Sequence, residues 1–510
     1  MDAPLLEGEL PAKAEAPRGA MDAPLLEDAV PAKAEAPRGI LRPILKVAWP
    51  VMASALVQWS QSFFTIWLIG GNGSRTSMAA FGLSNVLCNV TGHSLLWGIG
   101  SGFDTLAPQA WGADERRKLG VTAQRVLAIL VVAVCAPVVA VWLNASSVLL
   151  AAGQDRRVAL KVGSFARIRV PGLFAQAPVC VITSTLTAMG KTRALLALNV
   201  LSVVASGGLN WLFISARSPL SGALSPVDGS ALASTCVDIA GAFVLSLVVY
   251  CDGDCRGCWP GFDARRCFRG WGPYLALAVP SLVMVIIEWW SWDCVNLLAG
   301  LVRDPRTALA ANALLGNVIS LAYCLPFGLQ AGTRTLVGNA LGAQKPEEAK
   351  RAASVGAVLG VGAMGGQALA LYAGRRVWTT LFESEREVGD AVARLLKFVV
   401  FFAAGDGVQL VLSGIVTGAG KQKVTTPILF FNYWLLGLPL GAVFAFHFHE
   451  GLLGLWKGMC LAVWLHVVAY VAIAFSGRRL VPFAIDYPAA AAEAAARLEA
   501  ERPPEGANGT

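Results

Sequence analysis

Charged residues are scarce in this chain. Asp, Glu, Lys and Arg make up 15% of its 510 residues, hydrophobic residues make up 55%, and the mean hydropathy is +0.59. Soluble domains carry roughly 25% charged residues, so this composition excludes an ordinary soluble enzyme. The net charge of +8 comes from Lys and Arg in short loops, which is typical of membrane topology rather than of nucleic-acid binding. We therefore predict a multi-pass membrane protein with no nucleic-acid partner.

Sites for metals and for nucleophilic catalysis are also lacking. The chain has four histidines, and their only close pair, His447 and His449, is interpreted as loop residues rather than as a metal site. No nucleophile is accompanied by a base or a metal set on neighbouring predicted helices, which argues against an intramembrane enzyme. We expect no enzyme activity, no metal and no cofactor.

Cysteines cluster in one predicted loop, at Cys251, Cys255, Cys258 and Cys267. Only Cys255 and Cys258 form a C-x-x-C pair, and a zinc site of this type needs a second pair. A zinc site is one hypothesis for the cluster, and free or acylated thiols are the other.

Long apolar runs are what the chain has in abundance. Twelve of them follow one another at 44–69, 78–103, 119–143, 163–188, 193–214, 229–250, 273–300, 308–336, 351–374, 393–415, 424–446 and 452–476. Each run is long enough to cross a bilayer as a helix. The fold class predicted is an all-α membrane protein with twelve transmembrane helices.

An internal repeat relates the first six runs to the last six. Four segments recur at one offset of 230 residues: Trp49-Pro50 at Val279-Pro280, Ser101 to Leu106 at Ala331 to Leu336, Asp155 to Val158 at Glu385 to Val388, and Thr187 to Lys191 at Thr417 to Lys421. Because each copy holds an even number of helices, both copies enter the membrane from the same side. The repeat predicts two six-helix bundles related by a pseudo-twofold axis along the membrane normal.

The repeat also sets the predicted domains. They are an N-terminal bundle over 43–255, a linker over 256–272 and a C-terminal bundle over 273–476. Residues 1–42 form a polar tail that contains a duplicated 20-residue segment, which predicts disorder. Residues 477–510 form a second tail, and its stretch from Ala489 to Arg502 can be helical. Lys and Arg concentrate in the loops on the side of both tails, so we expect both termini to be cytosolic.

Four acidic residues interrupt the apolar runs, and we take them as the intramembrane ionisable residues: Asp238 in run 6, Glu288 and Asp293 in run 7, and Asp406 in run 10. Such residues are costly in a bilayer and face a bundle interior or a cavity. Glu288 and Asp406 both lie about 15–20 Å from the outer end of their helices, so they can share one cavity. For Asp238 the alternative is a purely structural partner, and for Asp293 a position near the membrane surface.

Tryptophans surround the run-7 acids. Trp289, Trp290 and Trp292 offer flat faces that can hold a planar or cationic ligand, or they form an interfacial belt. We expect Trp289 and Trp292 to line the cavity, together with Asn317 and Gln409.

Taken together and in order, several segments resemble the multidrug and toxic compound extrusion (MATE) transporters, and specifically their eukaryotic branch. The segments are Ser101 to Leu106 followed by Gln109 to Ala113, then Glu288-Trp289-Trp290, Val337 to Ala343, Gly418 to Gln422, and Gly454-Leu455-Trp456. The resemblance covers roughly residues 43–476.

The resemblance implies two lobes in a V with a substrate cavity between them. It implies export of organic compounds, cationic drugs or secondary metabolites, in exchange for protons. The working acids of the eukaryotic branch fall on Glu288 and Asp406, and a second helix-7 acid of mammalian-like members falls on Asp293. Asn317 stands where those members carry a helix-8 acid, which is a departure from their pattern. We expect a monomer that handles a small organic substrate in the plasma membrane or the vacuolar membrane.

Asp104 and Arg334 are repeat-equivalent charges of opposite sign near the cytosolic ends of their helices. We expect them to help close a cytosolic gate. The alternatives to a proton-coupled exporter are a sodium-coupled exporter of the same fold, a lipid-linked flippase and a non-transporting scaffold. A flippase would need a basic cavity for a phosphate headgroup, whereas the acids found here favour a cationic ligand.

Overall fold

The structure is a computed structural model that describes residues 38–72, 74–215, 218–219, 224–259, 261–262, 264–374 and 386–500. Residues 1–37, which hold all but the last few positions of the duplicated segment, and residues 501–510 at the end of the second tail lie outside the described residues. Thirteen helices organise the described part: α1 Arg38–Asn72, α2 75–100, α3 Arg116–Leu143, α4 Arg156–Ala188, α5 Thr192–Ile214, α6 Pro226–Cys251, α7 Trp271–Ala299, α8 Pro305–Gly342, α9 Pro346–Ala373, α10 Arg386–Gly418, α11 Gln422–His447, α12 Leu452–Phe475 and α13 Tyr487–Ala500. No strand occurs among these residues.

Eleven of the described helices are long and apolar enough to cross a membrane. The remaining predicted span is α2, whose Asn85, Asn89 and His93 make it more polar than the others. A turn at Ser101 and Gly102 separates α2 from the short helix Phe103–Gly112. Helix α2 is nevertheless continuous over 75–100 and corresponds to the predicted run at 78–103.

The backbone repeats itself at the predicted offset. Gly190 and Gly420 follow α4 and α10 with φ angles of 71° and 70°, and Asp114 and Gln344 have φ angles of 55° and 59°. Each pair lies 230 residues apart in the sequence. A left-handed residue just after a helix is a common helix stop, so both copies end these helices in the same way.

Separate hydrophobic cores mark the two bundles. One large core joins α2, α3 and α4, and two further large cores are built mainly from α8, α10 and α12. Helix α7 belongs to both. Its first half packs on α2, where Tyr274 donates its hydroxyl to the Ile99 carbonyl at 2.6 Å, and its second half packs on α11, where Trp434 donates to the Ile287 carbonyl at 3.0 Å.

The bundles touch at one end of the helices, which we call the closed face. There the short helix Phe103–Gly112 crosses the end of α8. A Cβ atom on Gly112 would overlap the backbone of Asn339, and one on Gly342 would overlap the backbone of Gln109. Gly112 and Gly342 are repeat-equivalent, and so are Gln109 and Asn339. The crossing is therefore symmetrical about the pseudo-twofold axis, and it is so close that neither glycine leaves room for a side chain.

Candidate functional site

Glu288 on α7 and Asp406 on α10 come close enough for their charges to act on each other. Asp406 is 7% exposed and Glu288 is half-buried. Helix α10 holds Asp406 inside because it packs along α8, α9 and α12 at once. Two neighbouring carboxyl groups inside one helix bundle can hold a proton or a cationic group between them.

Two glycines let neighbouring helices close around Asp406. A Cβ atom on Gly405 would lie 2.9 Å from the Trp464 ring, and one on Gly407 would overlap Met364 and lie 3.3 Å from Pro326. A glycine on each side of Asp406 permits this close approach because it has no side chain.

Three tyrosines lie in the neighbourhood of the acid pair. Tyr323 on α8 and Tyr433 on α11 lie within electrostatic range of both carboxyl groups, and Tyr470 on α12 lies within range of Glu288. The Tyr433 hydroxyl donates to Gln409 Oε1 at 3.0 Å, so Gln409 joins the site through this bond. Sequence reasoning missed the three tyrosines, because a tyrosine in an apolar run resembles any other aromatic residue.

His466 on α12 packs against the rings of Tyr433 and Tyr470. It is buried, its Nδ1 lies 3.2 Å from Asn432 Nδ2, and its ring centre lies 4.2 Å from that of Tyr470. A π-helical turn over Phe431–Gly437 carries Asn432 and Tyr433, and such turns often occur at functional sites. Within the described residues, His466 Nε2 is buried without a hydrogen-bond partner.

The other predicted site residues are placed less centrally. Trp292 packs with Phe402 and Trp456, at ring-centre distances of 4.9 and 5.4 Å, in the core of the second bundle. Trp289 is 41% exposed. Asp293 and Asn317 are exposed, and the Asn317 amide donates to the Ala313 carbonyl of its own helix at 3.1 Å.

The first bundle carries amides where the second carries acids. Gln58 and Gln176 lie 230 residues before Glu288 and Asp406. Gln58 Nε2 donates to Asn199 Oδ1 at 3.1 Å, and Gln176 Nε2 donates to Asp238 Oδ1 at 2.8 Å. The repeat register alone could have identified both residues.

Asp238 has a cationic partner that the sequence analysis missed. Arg169 on α4 donates to Asp238 Oδ2, and its second terminal nitrogen lies 3.4 Å from His93 Nε2. Arg169 is therefore a further buried ionisable residue, and counting only the four acids was wrong. Its position inside a long apolar run hid it, because the long stem of an arginine is compatible with an apolar helix face.

Asp104 and Arg334 meet at the closed face. Arg334 Nη1 lies 2.8 Å from Asp104 Oδ2, and Ser184 donates its hydroxyl to Asp104 Oδ1 at 2.6 Å. Both charged side chains are largely buried, at 16% and 17% exposure. The ion pair joins the first bundle to the second.

Backbone carbonyls at the end of α10 extend this junction. Thr105 Oγ1 donates to the Thr417 carbonyl at 2.7 Å, and Gln109 Nε2 donates to the Gly418 carbonyl at 3.0 Å. Gln422 Nε2 in turn donates to Thr105 Oγ1 at 2.8 Å. Side chains of the first bundle thus donate to backbone carbonyls in the last turn of α10.

The four clustered cysteines do not converge on one site. Cys255 Sγ contacts Met189 Sδ at 3.6 Å, and Cys267 Sγ contacts Gln124 Oε1 at 3.6 Å. Cys258 is buried and Cys251 is exposed. No group of three or more potential metal ligands occurs among the residues that the structure describes, so the zinc hypothesis gains no support from this loop.

The MatE family model matches residues 50–212 and 280–443. This chain belongs to the MATE family of transporters. The two matched segments begin 230 residues apart, which agrees with the internal repeat, and together they cover more than half of the sequence. The predicted family is confirmed.

Relatives from plants and animals support the eukaryotic branch. Protein DETOXIFICATION 16 of Arabidopsis thaliana is 32% identical over 428 residues, covering 82% of this chain and 84% of the relative. Multidrug and toxin extrusion protein 1 of Danio rerio is 30% identical over 432 residues, covering 85% of this chain and 71% of the relative.

Solved MATE structures share the fold. The crystal structure of the eukaryotic MATE transporter AtDTX14 matches with a TM-score of 0.81 and 25% identity, covering 91% of this chain and 99% of that one. A mutant of the Vibrio cholerae MATE transporter VcmN matches with a TM-score of 0.73 and 18% identity, covering 85% of this chain and 96% of that one. At this low identity the likeness supports the fold alone. The predicted architecture of twelve helices in two lobes is confirmed. This MATE protein is an integral multi-pass membrane protein.

Proposed function

We propose that this MATE protein exports organic compounds from the cytosol in exchange for protons. The observation that carries the proposal is the Glu288–Asp406 pair, two acids that act on each other inside one bundle. In their charged forms the two carboxylates attract an organic cation, and the nearby aromatic rings can hold its apolar part. In their protonated forms they lose that attraction, so protonation releases the substrate.

Alternating access requires the site to open to one side of the membrane at a time. We assign the closed face to the cytosol, which agrees with the Lys and Arg distribution. In the state described here, the Asp104–Arg334 ion pair and the hydrogen bonds around Gln109 hold the cytosolic side shut. Protons then reach Glu288 and Asp406 from outside, and their later loss to the cytosol prepares the site for new substrate.

The working acids, the cavity residues and the lobe bounds are parts of this proposal. We assign proton and substrate binding to Glu288, Asp406 and Asp293. The residues assigned to the cavity lining are Trp289, Trp292, Asn317 and Gln409. The two lobes are assigned to 43–255 and 273–476. We further propose a monomer without a cofactor, with both termini in the cytosol, in the plasma membrane or the vacuolar membrane.

The first test is uptake of a fluorescent organic cation into proteoliposomes under either a pH gradient or a sodium gradient. We expect uptake driven by the pH gradient, and we expect Glu288→Gln to abolish it. Glu347→Gln is the matched control, because it makes the same change at an exposed residue in the first turn of α9, outside the proposed site. Uptake driven only by sodium would select the sodium-coupled alternative, and uptake by Glu288→Gln at the wild-type rate would remove Glu288 from the mechanism.

A further inference from the structure

The chain turns back on itself after α12. The Ile485 amide donates to the Ile473 carbonyl at 2.8 Å, and the Tyr487 hydroxyl donates to the Ala474 carbonyl at 3.2 Å. These bonds direct the 14-residue helix α13 across the closed face instead of away from it. A tail helix that is held in this way can contact both bundles.

Helix α13 is anchored on the second bundle by apolar and polar contacts. Its Tyr487, Ala490 and Ala494 are buried in the core formed by α8, α9 and α10. Glu493 accepts from Lys421 Nζ at 2.7 and 2.8 Å, and Gln344 Nε2 donates to the Ala491 carbonyl at 2.8 Å. The contacts of α13 with the second bundle are more extensive than its contacts with the first bundle.

The last turn of α13 reaches the first bundle. Leu498 is buried in the core that joins α2, α3 and α4. Arg497 Nη1 donates to Gln109 Oε1 at 3.3 Å, and Gln109 is the same side chain whose Nε2 donates to the Gly418 carbonyl. One residue of the tail therefore fixes a side chain that already bridges the two bundles.

Arg497 is held by the second bundle at the same time. Its Nη2 donates to Glu493 Oε2 at 3.0 Å and lies 3.4 Å from the Gly420 carbonyl oxygen. Burial lowers the pKa of the Arg497 guanidinium, and Glu493 partly offsets this, yet a guanidinium stays charged at physiological pH. The guanidinium packs directly on Gly420, where a Cβ atom would lie 2.7 Å from its carbon, whereas the repeat-equivalent Gly190 has nothing closer than 3.9 Å. The second repeat is thus adapted to α13 in a way that the first is not.

The junction beside α13 is incompletely filled. A cavity of about 420 Å³ lies between the bundles there, with Leu106 and Leu277 on one side and Val424, Glu493 and Arg497 on the other. Because little apolar packing joins α13 to the first bundle, that contact can separate while the anchor on the second bundle stays in place.

We propose that α13 is a clamp that holds the closed face shut, with Arg497 as its positioning residue. The transport cycle then includes release of Arg497 and Leu498 from the first bundle each time the closed face opens. This inference rests on the proposed alternating-access function.

The decisive experiment joins the clamp to the first bundle reversibly. The full-length Gln109→Cys/Arg497→Cys variant is treated with a reducible bis-thiosulfonate crosslinker, with wild type treated in parallel to account for native thiols. We expect crosslinking to lower transport at least about tenfold, in the range of typical coupling between sites, and reduction to restore it. Transport by the crosslinked protein at the rate of the reduced protein would overturn the clamp.

A second measurement needs no transport. Amide hydrogen exchange in the Phe103–Gly112 helix is compared between Arg497→Ala and Arg478→Ala. Arg478 is the matched control, because it pairs with Asp486 at 3.5 Å within the tail. We expect exchange about tenfold faster in Arg497→Ala, and equal exchange in the two variants would contradict the clamp. Since no gradient or substrate is used, this result is independent of the coupling ion and of the proposed substrate class.

Discussion

Asp104 and Arg334 occupy the same position in the two repeats and pair with each other at 2.8 Å. Residues related by a pseudo-twofold axis meet only when they lie close to that axis. The ion pair therefore marks the centre of the closed face. In a perfectly symmetrical protein two identical residues would meet there and carry like charges, whereas here the two residues carry opposite charges.

This geometry predicts the outcome of a charge swap. Asp104→Arg or Arg334→Asp alone places like charges in contact, so we expect each to lower transport strongly. The double variant restores the pair, and we expect it to recover most of the activity, with a coupling energy of about 0.5–3 kcal/mol. Recovery should be incomplete because Ser184 then faces a guanidinium. A double variant no better than its worse parent would show that the pair does not act as a unit.

The packing around Asp406 predicts the effect of one methyl group. We expect Gly407→Ala to destabilise the protein by about 1–3 kcal/mol, because its Cβ atom overlaps Met364. The shift should also displace Asp406 and weaken substrate binding. Gly365→Ala on α9 is the control, since its Cβ atom would meet open space. Thermal stability in detergent measures the effect, and trimming Met364 to Ala should relieve part of it.

The ion pair of Asp238 in the first bundle leads to a prediction about stability instead of transport. Arg169 and Asp238 neutralise each other, so removing one partner leaves a buried charge and should cost about 3–5 kcal/mol. Removing both in Arg169→Leu/Asp238→Leu should recover much of that loss while keeping transport driven by the pH gradient. The measurements are thermal stability and proteoliposome uptake. A stable double variant without pH-driven uptake would place Asp238 in the coupling mechanism.

An ion cluster outside the predicted spans predicts a pH dependence of stability. Lys191 Nζ donates to both carboxylate oxygens of Asp252 at 2.6 Å. This hydrogen bond holds the pKa of Asp252 below its ordinary value, although burial opposes it. A lowered pKa in the folded state contributes stability above the unfolded pKa of about 3.9, and the contribution is lost as the pH falls through the folded pKa.

We therefore expect Asp252→Asn to lower stability by at most about 1 kcal/mol at pH 7, because the pair is partly screened by solvent. The difference from wild type should shrink as the pH falls below about 4. Thermal unfolding of both proteins across this range measures it. A difference that stays constant with pH would mean that the carboxylate charge is not the cause.

The fold was predictable because its signals are local. Each apolar run predicts a helix by its own length. The repeat is indicated by a common spacing, which separates Gly190 from Gly420 and Asp104 from Arg334. Glu288 and Asp406 stood out for the same reason, since a carboxyl group inside an apolar run is costly wherever the helix lies. The outlier was α2, whose polar residues weaken the signal of a span.

The residues that surround the intramembrane acids could not be predicted from local sequence signals. Tyr323, Tyr433 and Tyr470 come from three helices, and nothing in their own runs distinguishes them from aromatic residues that face lipid. Arg169 was overlooked because its partner Asp238 is 69 residues away and its stem suits an apolar helix face.

The sequence by itself determined the number of spans, the two-copy architecture and the acids worth testing, because hydrophobicity and charge belong to each segment independently. Only the tertiary structure decided which helix faces meet. It placed Tyr433 beside Gln409, Arg169 beside Asp238, and the last turn of α13 against the first bundle. Such contacts depend on the packing of all helices at once, and no single segment carries that information.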